Sequence, residues 1–301
     1  MKKIVIVGGA GFIGTKLSEA LLEMGYAVLV VGPSAPKIRH ENLEHIICDL
    51  SKGSPEVNFI DGTHGVVNLA GATIGKRWNS AYKKLLYTSR IETTKTITTL
   101  IKSSSYPPSV LVNASGIGYY GDRGTEPLDE NCSQGGDFLA KLCVDWEEEA
   151  LKANSNHTRV VLIRTANVLG PAGLLASLYP LFKVGLGGYF GSGKQLMPWI
   201  HWKDIVGIYI FAIENLIAGA YNASALEVVS QKYLFKLFGE TIHAPFVLPV
   251  PYFLGKIALG EFADALFAGQ NAVSKKICDA GYKFSVNEIK SAFKDIYPEI
   301  G

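Results

Sequence analysis

The chain has 301 residues, 48% of them hydrophobic, and a formal net charge of +2. That is enough apolar material for a large core, as one α/β domain or a domain with a lobe. The balanced charge, without a basic run, gives no electrostatic handle for nucleic acid or an anionic membrane. The four cysteines, Cys48, Cys132, Cys143 and Cys278, are scattered without a CxxC pair. They argue against a metal site or a disulfide frame and fit a reducing cytoplasm.

The first element is a strand, Ile4 to Val7, continuous and β-branched as buried parallel strands are. Lys2-Lys3 ahead of it imitates the start of a signal peptide, but glycines interrupt the run after four residues. Nothing in the chain approaches the ~20 apolar residues of a membrane helix. Gly8, Gly11 and Gly14 follow at spacings of three and lead into an amphipathic stretch carrying Leu17, Leu21 and Leu22; Tyr26 to Val31 then closes a β-α-β unit. Gly8 permits the tight turn, Gly11 lets backbone approach phosphates, and Gly14 lets helix pack against strand. Phe12 and Ile13 open the helix, where free N–H groups and the helix dipole favour an anion. The pattern predicts a dinucleotide cofactor.

Further strands are predicted at Ile46–Cys48, Gly65–Leu69, Val110–Ala114 and Arg159–Thr165, and helices at Asn79–Lys102 and Asp137–Ala153. The alternation predicts a Rossmann-type, doubly wound parallel sheet. From Gly170 glycines crowd 185–193, Pro198 and Pro249 break the pattern, and aromatics become frequent. The expectation is a dinucleotide-binding core over 1–170 and a smaller C-terminal substrate lobe over 171–301. Residues 199–222 return to the core through a helix at Asp204–Leu216, capped by Asp204, and a strand at Ala220–Asn222.

Ligands in such sheets lie across the carboxyl ends of the strands. After the second strand the chain reads Gly32-Pro33-Ser34, with no acid until Glu41. NAD-specific sites place a ribose-binding acid there; its absence removes repulsion against a 2′-phosphate, which Ser34, Lys37 or Arg39 could contact. NADP is therefore expected over NAD. Asp49 and Leu50 end the third strand beside the adenine, and Leu69, Ala70 and Gly71 end the fourth. The same rule adds Ala114 and Ser115, and Val168 after the strand Arg159–Thr165.

A narrower resemblance rests on several segments. They are Asn68-Leu69-Ala70-Gly71 with Arg77-Trp78-Asn79, Thr88-Ser89-Arg90, Gly118-Tyr119-Tyr120-Gly121-Asp122, and Gly191-Ser192-Gly193-Lys194-Gln195, with Trp199-Ile200-His201 and Ala280-Gly281-Tyr282 further on. Together they resemble the atypical extended short-chain dehydrogenase/reductases called epimerase family proteins, also described as sugar-nucleotide epimerase-like or cell-division-inhibitor proteins. The resemblance implies NADP, with Arg90 reaching the cofactor from the long helix. It leaves the substrate open. Relatives carry a Ser/Thr-Arg pair where this chain has Gly32-Pro33, and an arginine where it has Met197. Superfamily members often dimerise, so the helix pair Asn79–Lys102 and Asp137–Ala153 offers a homodimer face.

Active members of that superfamily use a Ser/Thr with a tyrosine and a lysine four residues later. Here Phe138 or Leu139 fills the tyrosine place and Leu142 or Cys143 the lysine place; Lys141 is one position out, and the serine place is Gly116. The catalytic candidates are therefore Ser115, Tyr119, Tyr120 and His201. An unaided tyrosine, titrating near ~10, is a poor base at neutral pH, whereas histidine titrates in the useful range. Cys143 lacks a base and is read as inert. Trp78, Tyr189, Trp199 and Trp202 either line the cleft or pack the core. Two functions follow: an NADP-dependent epimerase/dehydratase-like oxidoreductase acting on a small polar or sugar-like substrate, or a catalytically degenerate NADP-binding sensor or regulator.

Overall fold

The structure is a computed structural model describing residues 1–53 and 55–298. The core strands are β1 (Lys3–Val7), β2 (Ala27–Gly32), β3 (Leu43–Ile47), β4 (Gly65–Asn68) and β5 (Val110–Gly116), with α1 (Phe12–Glu23) and α2 (Ser80–Lys102) between them. The chain continues through β6 (Pro127–Leu128), α3 (Phe138–Leu151), β7 (Arg159–Thr165), β8 (Asn167–Leu169), α4 (Leu174–Lys183), β9 (Gly188–Phe190), β10 (Trp199–His201), α5 (Trp202–Glu214) and β11 (Gly219–Ala223). It ends with α6 (Gln231–Thr241), β12 (Leu248–Val250), α7 (Tyr252–Leu259), α8 (Phe262–Phe267), β13 (Asn271–Ala272), α9 (Lys275–Asp279) and α10 (Ile289–Ile296).

Seven strands form one parallel sheet in the order β11-β7-β5-β4-β1-β2-β3. The order reverses direction at β1, placing the switch point where the glycine turn lies. Period-two alternation sends Ile4 and Ile6 to the layer under α1 and α5, and Val5 and Val7 to the layer under α2 and α3. Both faces are covered, which is why these strands read as continuous apolar runs. No helix among the described residues is long and apolar enough to cross a membrane.

A second core gathers Phe182, Trp199, Phe238 and Phe293 from α4, β10, α6 and α10. Three short parallel pairs, β8–β10, β9–β12 and β6–β13, join segments distant in sequence. The link between α7 and α8 reaches back to the first half of the chain. Trp78 N–H donates to the Leu259 carbonyl at 3.0 Å, Lys83 pairs with Glu261 at 2.7 Å, and Arg77 donates to the Ile257 carbonyl. A side chain at Gly260 would run into the Trp78 carbonyl, so the crossing depends on a bare backbone.

One capping expectation is corrected. His201, not Asp204, caps α5, its Nδ1 accepting from Lys203 N–H at 3.4 Å. Asp204 is buried in the first turn and accepts from the Ser285 amide (2.6 Å) and hydroxyl (2.8 Å), the Val286 amide (3.0 Å) and the Tyr282 hydroxyl (3.2 Å). It ties the segment before α10 to the core. A carboxylate one turn inside a helix is free to serve as an anchor when another residue already caps.

Candidate cofactor cradle and active site

The β1–α1 turn is a cradle made of backbone. Gly8 has φ +80°, and a Cβ there would lie 2.9 Å from the Leu69–Ala70 backbone. At Gly14 a Cβ would come within 2.5 Å of the Gly9 Cα, so α1 sits directly on the turn. Gly11 caps α1 without a side-chain hydrogen bond, and no acid occupies the first turn. The first intrahelical bond is Thr15 N–H to the Gly11 carbonyl at 2.8 Å. The amides of Phe12 and Ile13 therefore have no acceptor among the described residues, and they stand at the positive end of a 12-residue helix. Gly11 is exposed, and a Cβ there would meet only the Gly8 carbonyl, at 3.4 Å. Open space in front of unpaired donors fits a pyrophosphate.

Around this cradle, Gly32 is buried while Pro33 and Ser34 are exposed; Lys37 and Arg39 are exposed and make no ion pair among the described residues. Asp49 caps the short turn Leu50–Lys52. It accepts from the Ser51 hydroxyl at 2.7 Å and pairs with Lys52 at 3.2 Å, and chiefly the Ser51 bond holds its carboxyl below the usual range. Leu50 packs into the core beside α2. The Ala70 amide donates to Asn68 Oδ1 at 3.2 Å, and Asn68 in turn donates to Asn113 (2.7 Å) and Thr94 (2.9 Å), which also receives the Trp146 N–H at 2.9 Å. This buried network fixes the ends of β4 and β5, and it was not legible from the sequence.

Arg90 lies against Gly71, where a Cβ would come 2.8 Å from its guanidinium carbon. It donates to the Leu86 and Ala72 carbonyls, both at 3.1 Å, and stands over the Trp146 ring. No carboxylate pairs with it among the described residues, and burial alone pulls its pKa down. A buried cation held only by carbonyls is suited to a ligand anion.

At the opposite corner, Ser115 on β5, Tyr119 and Tyr120 on the following turn, and Arg164 on β7 converge. Arg164 makes a two-pronged ion pair with Glu147 of α3, at 2.9 and 2.8 Å, and both side chains are buried. Burial opposes the charge on Arg164, but Glu147 outweighs it and holds the guanidinium in its charged form. Ser115 donates to Glu147 at 2.6 Å. Tyr120 is fully buried; its hydroxyl donates to Asn222 at 2.8 Å and accepts from Arg164 at 3.0 Å, and burial pushes it up to about 12. Tyr119 is different. Its ring lies 3.4 Å from the Arg164 guanidinium carbon, it is half-buried, and its hydroxyl has no hydrogen-bond partner among the described residues.

The places of a tyrosine–lysine pair are apolar. Leu139 and Cys143 both pack under Gly118, with Cβ distances of 3.3 and 3.9 Å to their nearest atoms. The Cys143 thiol is buried, and that burial pushes it up to about 11. Lys141 points outward to Asp145 at 3.0 Å. His201 is sealed: its side chain has no solvent exposure, and Nε2 lies 3.3 Å from Asp295 of α10 but out of line for a hydrogen bond. Burial holds its pKa down. Trp78, Tyr189 and Trp199 are packed as core, while Trp202 stands beside Phe12 at 6.5 Å. Ala114 and Val168 are half-buried near these strand ends.

Glu147 and Arg164, which join the candidate residues Ser115 and Tyr120 into one network, are not among the residues expected from the sequence. Their signal is present: Arg164 is a charge that follows the apolar run Val160–Ile163 of β7, and Glu147 faces inward from a helix.

A profile of the NAD dependent epimerase/dehydratase family matches residues 4–224, and one for a domain of unknown function (DUF1731) matches 250–296. Epimerase family protein Mb2239 of Mycobacterium bovis is 37% identical over 293 residues, spanning 96% of this chain and 95% of that protein. The chloroplastic SDR39U1 homolog of Arabidopsis thaliana is 36% identical over 97% of this chain and 86% of its own length. The crystal structure of human epimerase family protein SDR39U1 (isoform 2) with NADPH superposes with a TM-score of 0.87 at 30% identity, covering 99% of both chains.

Proposed function

The chain belongs to the NAD dependent epimerase/dehydratase family, and from that premise we propose that it binds NADP(H) along the strand ends and uses it on a small polar or sugar-like substrate. The unpaired Phe12 and Ile13 amides, behind a second strand that ends without an acid, carry the cofactor reading. The related human structure with NADPH supports it. Gly8, Gly11 and Gly14 shape the turn, and Gly32, Pro33 and Ser34 face the 2′ position. Asp49 flanks the adenine, with Leu50 packed in the core behind it, and Leu69, Ala70, Gly71 and Arg90 take the phosphates and ribose. Ala114, Ser115 and Val168 face the nicotinamide half. The lobe over 171–301 holds the substrate, and a reducing cytoplasm suits the four free cysteines.

When bound, the nicotinamide supplies hydride chemistry at a carbonyl or carbinol carbon. Tyr119 takes or gives the proton at the substrate oxygen, because it is the one predicted catalytic side chain with an unengaged and accessible polar atom. Arg164 positions its ring, and Ser115 positions Glu147 and Arg164. Tyr120 and His201 act as packing residues in this reading. The apolar Leu139–Cys143 pair supports the second reading, a cofactor-bound sensor or regulator without turnover.

Fluorescence titration tests the cofactor: NADPH should bind at least tenfold more tightly than NADH, and failure of both to bind overturns both readings. A screen of polar carbonyl and sugar-like compounds followed at the NADPH absorbance then separates them. Turnover lost in Tyr119→Phe and kept in His201→Asn supports the enzyme. Tight NADPH binding with no turnover across the screen supports the sensor.

A further inference from the structure

Given NADP(H) along the strand ends and Tyr119 as proton carrier, as proposed above, we propose that the substrate is an uncharged carbonyl compound with an apolar ring, and not a phosphorylated or nucleotide-linked sugar. Of the small polar or sugar-like compounds allowed above, that selects those polar at the reacting oxygen and apolar behind it. Trp78 is buried against Phe138, edge-on at 5.5 Å, and Phe262, tilted at 5.1 Å. Ile74 and Leu139 belong to the same cluster, and these four neighbours of Trp78 are partly exposed. The cluster reaches both candidate sites. Ala72, another member, accepts from Arg90 at 3.1 Å on the cofactor side. Leu139 packs under Gly118, next to Tyr119.

The cations beside this apolar wall are engaged. Lys83 pairs with Glu261 at 2.7 Å and stands over the Phe138 ring at 5.3 Å, and Arg77 donates to the Ile257 carbonyl. Arg164 is committed to Glu147 and to the Tyr120 hydroxyl. Lys194 is exposed on its loop, where water and salt screen a phosphate contact. Three glutamines near the corner spend amide donors on the backbone. Gln270 donates to the Ile117 and Gly121 carbonyls, both at 3.0 Å, on either side of Tyr119. Gln195 donates to the Phe190 carbonyl at 3.0 Å, and Gln231 to the Leu266 carbonyl at 2.8 Å. Met197 is packed in the second core.

Phosphate oxygens or sugar hydroxyls pressed onto this wall lose water without gaining partners. An apolar ring instead gains by leaving water and by packing on Phe138 and Phe262. A mostly apolar surface with one polar reach, here Tyr119, fixes the orientation of a small ligand. In the reaction the carbonyl carbon takes a hydride from NADPH, the C=O π pair moves onto the oxygen, and the oxygen takes the Tyr119 proton. Water replaces that proton, the product leaves as an alcohol, and NADPH becomes NADP+.

Saturation-transfer NMR on the NADPH-loaded full chain reads the contact without requiring turnover. Acetophenone, a neutral ring ketone, should receive saturation, strongest on its ring protons, and UDP-glucose and fructose bisphosphate at least tenfold less. Phe138→Ala should weaken acetophenone binding at least fivefold with NADPH affinity unchanged, a split that general loosening of the fold does not give. Circular dichroism checks folding, and if Phe138→Ala is not folded, Phe262→Leu gives the same reading with a milder change. Where acetophenone oxidises NADPH, the same variant should raise KM and leave kcat within threefold. Equal or stronger saturation of either phosphorylated compound overturns the proposal. So does acetophenone binding that Phe138→Ala and Phe262→Leu leave unchanged, and so does no binding of any of the three. Those results leave the cofactor reading standing while NADPH binds; a chain that does not bind NADPH removes both.

Discussion

The two ends of the cleft differ in what they are made of. At the β1–α1 turn the candidate cofactor surface is backbone, set by close contacts of Gly8 with Leu69–Ala70 and of Gly14 with Gly9. At the β5–α3 corner it is side chain, set by the Arg164–Glu147 pair and what leans on it. Backbone donors stay in place through most substitutions, so a cofactor site outlasts changes in chemistry. A tyrosine–lysine relay depends on two side chains, and the places expected for it here, Phe138 or Leu139 and Leu142 or Cys143, are apolar.

The sharpest way to break the side-chain end is Glu147→Gln, which strands Arg164 as a buried, unpaired charge. It should cost about 3–5 kcal/mol, read as a fall in the urea midpoint, with Ser115 and Tyr120 loosened together. At the backbone end Gly14→Ala should cost about 1–3 kcal/mol, because the 2.5 Å approach to Gly9 leaves no room. Gly11→Val separates fold from ligand. Its φ of −75° suits any residue and the space is open, so stability should change by about 1 kcal/mol or less. NADPH affinity should nevertheless fall at least tenfold, about 1.4 kcal/mol, since the side chain occupies the phosphate position. Equal binding in this variant would show that the β1–α1 turn does not hold the phosphates.

The tyrosines give a smaller contrast. Tyr120→Phe loses two buried hydrogen bonds and should cost about 1–2 kcal/mol, whereas Tyr119→Phe should leave the melting temperature unchanged. The smallest effect concerns pH. Burial keeps folded His201 neutral below its ordinary range, so the unfolded chain takes up a proton first as pH falls. Stability from this group is complete above about pH 6.5 and declines below it, by about 1–3 °C in the melting temperature by pH 5. His201→Asn should flatten that slope.

The sequence reveals what is local. Apolar runs mark the core strands within a residue or two at most ends, and Asn79 and Asp137 are visible as caps of α2 and α3. The glycine spacing gives the cradle because one turn contains it. The candidate catalytic corner is not local: Glu147 and Arg164 meet across a helix and a strand, and Asn222 reaches Tyr120 from the edge of the sheet. His201 and Asp204 are three apart, and either could cap a helix; the choice falls to His201 because four donors from 282–286 claim Asp204. The short pairs β6–β13 and β9–β12 have no sequence signature, since each depends on segments brought together by the rest of the fold.

The bond from Arg77 to Ile257 closes a loop of 180 residues, and Gly260 against Trp78 closes another of similar length. Loop closure on that scale is unfavourable until most other contacts exist, and topology of this kind slows folding. The crossing should therefore form late, after the sheet and the lobe have each assembled. Recovery of substrate-cleft function during refolding should lag behind recovery of helical signal, with the interval set by this one seam.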